Sequence, residues 1–208
     1  MSRIRAKNEE VIIRAASRVF AEHGYAATKT AAIAELAELP KPNIYYYFGS
    51  KEKLYRAVLE SITEPLLAAS APFIEYQDPV QALTAYIKYK LMISKDYPYA
   101  SKVFANEIMH GAPHLPADII ERLSEQTRTL TAKLKDWMAQ GLMVDVDAHH
   151  LLFAIWSSTQ TYADFNWQIT MALGKEDLDE QDFERAALLI TQLVIGGCAV
   201  KPLSDSKR

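Results

Sequence analysis

The sequence predicts an all-α protein, an N-terminal three-helix helix-turn-helix domain followed by a larger helical bundle. Three observations predict it. Glycine is scarce, 7 in 208 residues, while Ala, Leu, Ile, Glu and Lys are abundant, a balance that favours helix. Apolar residues recur at spacings of three and four, with no β-rich alternating runs. One stretch, Thr28 to Leu54 (TKTAAIAELAELPKPNIYYYFGSKEKL), reads as two short helices joined by a tight turn, with another helix opening at Ser50. Half of all residues are apolar, enough for a sizeable core.

The elements follow in order. Residues 1–6 read as a disordered arm carrying Arg3 and Arg5. A first helix is expected from about Lys7 to His23, burying Val11, Ile12, Ala15, Ala16, Val19 and Phe20 and leaving through Gly24. Thr28 is placed to cap the second helix, whose buried face is Ile33, Leu36 and Ala37. Pro40 lacks an N–H and disfavours helical geometry in the residue before it, which ends that helix. The third helix should start late, near Lys41 or Pro42, and bury Ile44 and Phe48. Lys41, Asn43, Tyr46 and Tyr47 are then left to point outward, with Tyr45 at the side. Ser50 caps a fourth helix that runs through Leu54, Tyr55, Val58, Leu59 and Ile62 and stops by Pro65.

Beyond Thr63 the prolines at 72, 79, 98, 113 and 116 cut the bundle into helices. One spans about Val80 to Ser94 on a stripe of Leu83, Tyr86, Ile87, Lys90 and Leu91. The next opens at Tyr97-Pro98, with Ala100, Val103, Phe104 and Ile108 inward, and ends at Gly111-Ala112-Pro113. A long amphipathic helix covers Pro116 to Gln140. Two more, about 147–170 and 180–197, complete the chain, and the terminal SDSKR reads as loose. The domains divide as 1–53 and 54–208.

Composition bounds the function. No run of about 18 apolar residues argues for a membrane span, and the N-terminus has no secretory pattern, so a cytoplasmic protein without membrane contact is expected. A single cysteine, Cys198, excludes an internal disulfide and a cysteine-based zinc site. Net charge is −3, but residues 1–60 hold ten Lys/Arg against seven Asp/Glu and the remainder thirteen against nineteen. A modestly basic head on an acidic body would orient the chain towards phosphates. No G-x-S-x-G, P-loop or Cys/His pair points to an enzyme, and no cofactor is expected.

Gly24, Thr28, Ile33-Ala34, Ala37, the run Asn43-Ile44-Tyr45-Tyr46-Tyr47-Phe48, and Ser50-Lys51-Glu52 with Leu54 stand in an order and at a spacing that resemble the DNA-binding domain of the TetR family of transcriptional regulators. Glu38 departs from that pattern where a turn glycine is usual. Pro40 replaces the usual Ser cap, and Pro42 a small residue that often approaches DNA. The resemblance implies a homodimeric regulator, most simply a repressor, docking on a palindromic double-stranded operator. Lys41, Pro42, Asn43, Tyr46 and Tyr47 would face bases or sugars, while Lys29, Thr30, Tyr45 and Lys51 would hold phosphates.

Within the bundle, Lys95-Asp96-Tyr97-Pro98, Phe104 to Pro113, and above all Ile155 to Phe165 (IWSSTQTYADF) resemble the branch of the family that controls pyrimidine utilisation. That implies a small-molecule effector such as uracil or thymine. Trp156, Gln160 and Asp164 fall at i, i+4 and i+8 on one helix face, with Trp167 three residues on. An amide that donates and accepts beside an aromatic plate suits a flat heterocycle. A rival reading takes Glu107-x-x-His110 and Asp147-x-x-His150 as the acid-x-x-His pairs of a di-iron-like bundle oxidase.

Overall fold

A computed structural model describes residues 3–201, and the elements among them are all helical. In order they are α1 (Arg3–Ala27), α2 (Thr30–Leu36), α3 (Lys41–Phe48), α4 (Lys51–Ala68), α5 (Pro72–Glu75), α6 (Pro79–Asp96), α7 (Pro98–Met109), α8 (Ala117–Ala139), α9 (Ala148–Asp164), α10 (Asn166–Leu173) and α11 (Glu180–Gly197). The chain clusters into two compact units. One holds residues up to Glu64 together with Tyr97–Ile120; the other holds Pro65–Asp96 and the chain from Glu121 onward.

In the first unit the core holds Ile12, Ala15, Ala16, Val19 and Phe20 of α1, Ile33 and Ala34 of α2, Ile44 of α3, and Leu54, Val58 and Leu59 of α4, all buried. Val11 and Leu36, expected on the buried stripes, are instead 38% and 44% exposed. The helix of α1 begins at Arg3, so Arg5 belongs to no arm. Arg5 pairs with Glu9 one turn on at 2.9 Å and lies over the Tyr47 ring. Gly24 breaks α1 at φ 73°. Thr28 does not cap α2: its hydroxyl turns back to the carbonyl of Gly24 at 2.7 Å, and Lys29 occupies the cap position. Ser50 does cap α4, accepting from the Lys53 N–H.

α2 ends in a Schellman turn. The Leu39 N–H reaches the Ala34 carbonyl and the Glu38 N–H reaches Glu35, a closure that needs a left-handed residue. Glu38 supplies it at φ 54°. α8 closes through the same pair of bonds with Gly141 in that position.

α7 packs on α1 through buried Ala100 and Val103; Ile108, expected inward, is 48% exposed. Glu107, 3% exposed, accepts from the Tyr55 hydroxyl at 3.0 Å and from the His114 backbone N–H. Tyr25 stands with its ring 4.5 Å from His114 and 4.8 Å from Tyr55. Burial and then the Glu107 carboxylate hold the Tyr55 hydroxyl protonated well above its ordinary range.

α4 passes through Pro65 without stopping. A proline inside a helix removes one N–H bond, and the two units divide at that residue. The segment Lys51–Glu75 reaches a mean hydropathy of 1.2, apolar and long enough by composition to cross a membrane. Its Leu54, Tyr55, Val58, Leu59 and Ile62 are core residues.

In the second unit α6 is central, packing on α5, α9 and α11. Leu83, Tyr86, Ile87 and Leu91 of α6 are buried in its core, as are Phe73, Trp137, Leu152 and Ile155. The Phe73 ring lies tilted 5.4 Å from Trp137 and meets Tyr86 edge-on. Asp147 caps α9, accepting from the N–H groups of His149 and His150. Asp179 and Asp182 form a capping box at the start of α11, with the Lys175 ammonium on both carboxylates. The expected single helix over 147–170 is two: Phe165, at φ −110° and ψ 30°, separates α9 from α10. Cys198 is buried at the end of α11 without a disulfide, and burial raises its thiol. The terminal SDSKR lies outside the described residues.

Candidate nucleic-acid interface and effector site

α3 is built to show one face. Pro40 stands at its N-cap with extended geometry, φ −57° and ψ 136°, so the helix starts at Lys41, and the Asn43 N–H closes the first turn on the Pro40 carbonyl at 2.9 Å. A proline within the first turn loses only an N–H that would have been orphaned. Ile44 is 1% exposed and anchors the helix. Lys41 and Pro42 are exposed, Asn43 half-buried, and Tyr46 is 73% exposed. These side chains form a short surface with a cation, an amide and a hydroxylated aromatic, a donor and acceptor set that suits base edges in a major groove.

The neighbouring candidates divide. Lys29 is exposed at the start of α2. Thr30 is buried and its hydroxyl bonds the Tyr45 hydroxyl at 2.9 Å, so the two brace α2 against α3. Tyr47 is half-buried, its oxygen accepting from the Asn8 amide at 2.8 Å. The Lys51 ammonium donates to the carbonyls of Tyr25, Ala26 and Thr28 at 2.8, 3.2 and 3.1 Å and faces the Tyr25 ring. Its three protons therefore bind the end of α1 and the turn after it, which accounts for a lysine in the first turn of a helix, where the dipole disfavours it.

On α9, Trp156, Gln160 and Asp164 are all half-buried. The Trp156 indole N–H donates to the Tyr86 hydroxyl at 2.6 Å, and Ser94 donates to the Thr159 carbonyl at 2.9 Å. Burial raises the Tyr86 hydroxyl well above its ordinary range. Trp167 does not join them: it lies past the break at Phe165, on α10, and is 75% exposed.

The sequence places Lys90 on a buried stripe of α6, and the fold sets it between Tyr86 and Ser94, which both bond to α9. It is 8% exposed. Burial brings its ammonium down to about 8, with the Asp164 charge opposing. A lysine inside an otherwise apolar stripe, one turn past Tyr86, was the available signal.

The di-metal reading finds no support, because each of its acids is engaged elsewhere. Glu107 is engaged with Tyr55 and His114 in the first unit, while Asp147 caps α9 in the second. His110 and His150 are exposed. No group of three or more His, Cys, Asp or Glu among the described residues is placed to hold a metal.

Comparison with known proteins agrees with this geometry. Residues 12–58 match the profile of bacterial regulatory proteins of the tetR family, and residues 59–201 that of the YcdC-like protein C-terminal region. The chain is 37% identical over 196 residues to the HTH-type transcriptional regulator RutR of Escherichia coli strain K12, covering 94% of this chain and 92% of that protein. It is 31% identical over 128 residues to the HTH-type transcriptional repressor NicS of Pseudomonas putida, covering 61% of this chain and 58% of that one. Among solved structures, the ketosteroid transcriptional regulator KstR2 of Mycobacterium tuberculosis superposes with a TM-score of 0.75 at 18% identity, over 99% of this chain and 97% of that one. AibR, solved with isovaleryl coenzyme A and operator DNA, gives 0.67 at 17% identity over 89% and 97%. These likenesses share the fold. The chain belongs to the TetR family of DNA-binding transcriptional regulators and is not an enzyme.

Proposed function

We propose that the chain is a cytoplasmic, homodimeric repressor whose hold on a palindromic operator is released by a small molecule in the second unit, with a pyrimidine such as uracil or thymine as the effector. The observation that carries the DNA half of this reading is the exposed face of α3 beside buried Ile44. Lys41, Pro42, Asn43 and Tyr46 face bases or sugars, and Lys29 holds phosphate. Thr30, Tyr45 and Tyr47 set the angle of α3 and Lys51 ties the start of α4 to the end of α1, leaving only their outer atoms for the DNA backbone. Two such heads enter successive major grooves about 34–36 Å apart.

α11 supports the dimer. Leu188, Leu189 and Leu193 are 60%, 55% and 65% exposed, and Gly196 and Gly197 leave open space one turn further on. With Phe153 of α9, 46% exposed, they offer an apolar surface that a second copy of α9 and α11 would cover as a four-helix interface. The effector half rests on Trp156, Gln160 and Asp164 and on the resemblance of the 155–165 segment to the pyrimidine branch. An effector acts if it binds the operator-competent and released states unequally, and α4 and α8 each continue from one unit into the other.

The test is fluorescence anisotropy on duplex DNA from upstream of the chain's own gene, with and without uracil or thymine. Tight binding released by either base supports the reading. Binding that neither base alters removes the pyrimidine from it, and a monomer in a micromolar sizing run removes the whole mechanism.

A further inference from the structure

Lys90 lies on α6 between two hydrogen bonds to α9, that from Trp156 to Tyr86 and that from Ser94 to the Thr159 carbonyl. Residues 86, 90 and 94 share one helix face a turn apart. Its side chain is more than nine-tenths buried. Among the described residues no acceptor lies within hydrogen-bond distance of its nitrogen and no carboxylate within ion-pair distance. The Asp164 charge favours its protonated form. Buried ammonium groups ordinarily find partners, because leaving one without them is costly. The fold itself does not need this charge: a methionine would occupy a similar volume beside Ile87 and Leu91.

The same stretch of α9 offers a second uncommitted polar group. The Gln160 amide, half-buried one turn past Trp156, makes no hydrogen bond among the described residues. The Tyr86 hydroxyl accepts from Trp156 and still has its own proton to give. The Tyr86 hydroxyl thus touches the Trp156 indole, with Lys90 one turn from Tyr86 on α6 and Gln160 one turn from Trp156 on α9.

We propose that Lys90 is the principal effector anchor, donating to an acceptor oxygen, carbonyl or carboxylate, on a planar ring that lies against Trp156 while Gln160 reads the adjoining edge. This rests on the reading of α9 as the effector site and adds the residue that selects the ligand's chemistry. Rings bearing an oxygen acceptor are admitted. Cationic rings and rings with donors alone are refused, because either would face a buried ammonium.

The test is calorimetry with four probes, the neutral diones uracil and thymine and the ring carboxylates orotate and benzoate, on the full chain and on Lys90→Met, Lys90→Gln and Gln160→Ala. The wild type is expected to bind at least one probe, and Lys90→Met to weaken that binding at least about tenfold. Lys90→Met should at the same time melt higher than wild type without ligand, a combination that loss of a merely structural group would not give. Lys90→Gln, which keeps the length and loses the charge, serves if the methionine variant does not fold. Whichever probe class binds identifies the oxygen as dione or carboxylate. Equal affinity in wild type and both Lys90 variants overturns the anchor, and if Gln160→Ala still weakens binding the α9 site survives. No binding of any probe to the wild type overturns both.

Discussion

Glu38 and Lys90 each hold a conformation or a charge at a local cost. At Glu38 the Schellman closure of α2 forces φ to 54°, and a side chain in the left-handed region costs roughly 1–2 kcal/mol. Glycine would remove that strain while losing more freedom on folding. Glu38→Gly is therefore expected to stabilise the first unit by about 0.5–1 kcal/mol, read as a rise in Tm; a fall would show that the Glu38 side chain contributes something its exposure does not suggest. Lys90 titrates in the folded protein at about 8 against an ordinary value of 10.5. Below pH 8 both states keep the proton and the burial penalty is complete. Between 8 and 10.5 the unfolded chain binds more protons than the folded one, so stability rises with pH. Lys90→Met should thus exceed wild type by on the order of 2–3 kcal/mol near neutrality, with the gap closing as pH approaches 10.5 in urea melts. A gap that ignores pH would mean that the ammonium is not the source.

At the scale of elements, α3 is a presentation helix whose anchor and reader residues separate cleanly. Lys41→Ala and Tyr46→Ala should each weaken specific operator binding by about 1–3 kcal/mol while leaving the melting curve within error, since both side chains are exposed. A large loss of Tm would mark them as packing residues. Much of this was legible from residue order. Pro40 and Pro42 fixed where α3 starts, Ile44 its buried side, and Ser50 the cap of α4. What sequence could not give were partners distant along the chain. The Lys51 ammonium meets the carbonyls of Tyr25, Ala26 and Thr28, which lie 26, 25 and 23 residues earlier in the chain. The packing of α7 on α1, with Glu107 between Tyr55 and His114, has no local signal at all. The periodicity of 147–170 also runs straight through Phe165, so a helical wheel placed Trp167 beside Asp164 although the backbone bends between them.

For the whole molecule, the exposed leucines of α11 set the assembly expectation. Leu189→Glu with Leu193→Glu should convert a dimer of the 23.4 kDa chain into a monomer in light scattering at micromolar concentration, because two buried carboxylates without partners outweigh the remaining apolar contact. An unchanged dimer would move the interface elsewhere. Loss of the dimer should also abolish tight operator binding, since each head alone reads only a half-site.

Selection of a random duplex library on the purified chain tests the central claim most directly. Enrichment of a palindrome whose half-sites are about one helical turn apart, or a multiple of it, is the expected result, with enrichment lost in the Lys41→Ala, Tyr46→Ala double variant. A library that stays random, or one that enriches equally on that double variant, would contradict the account of α3 as the reading helix.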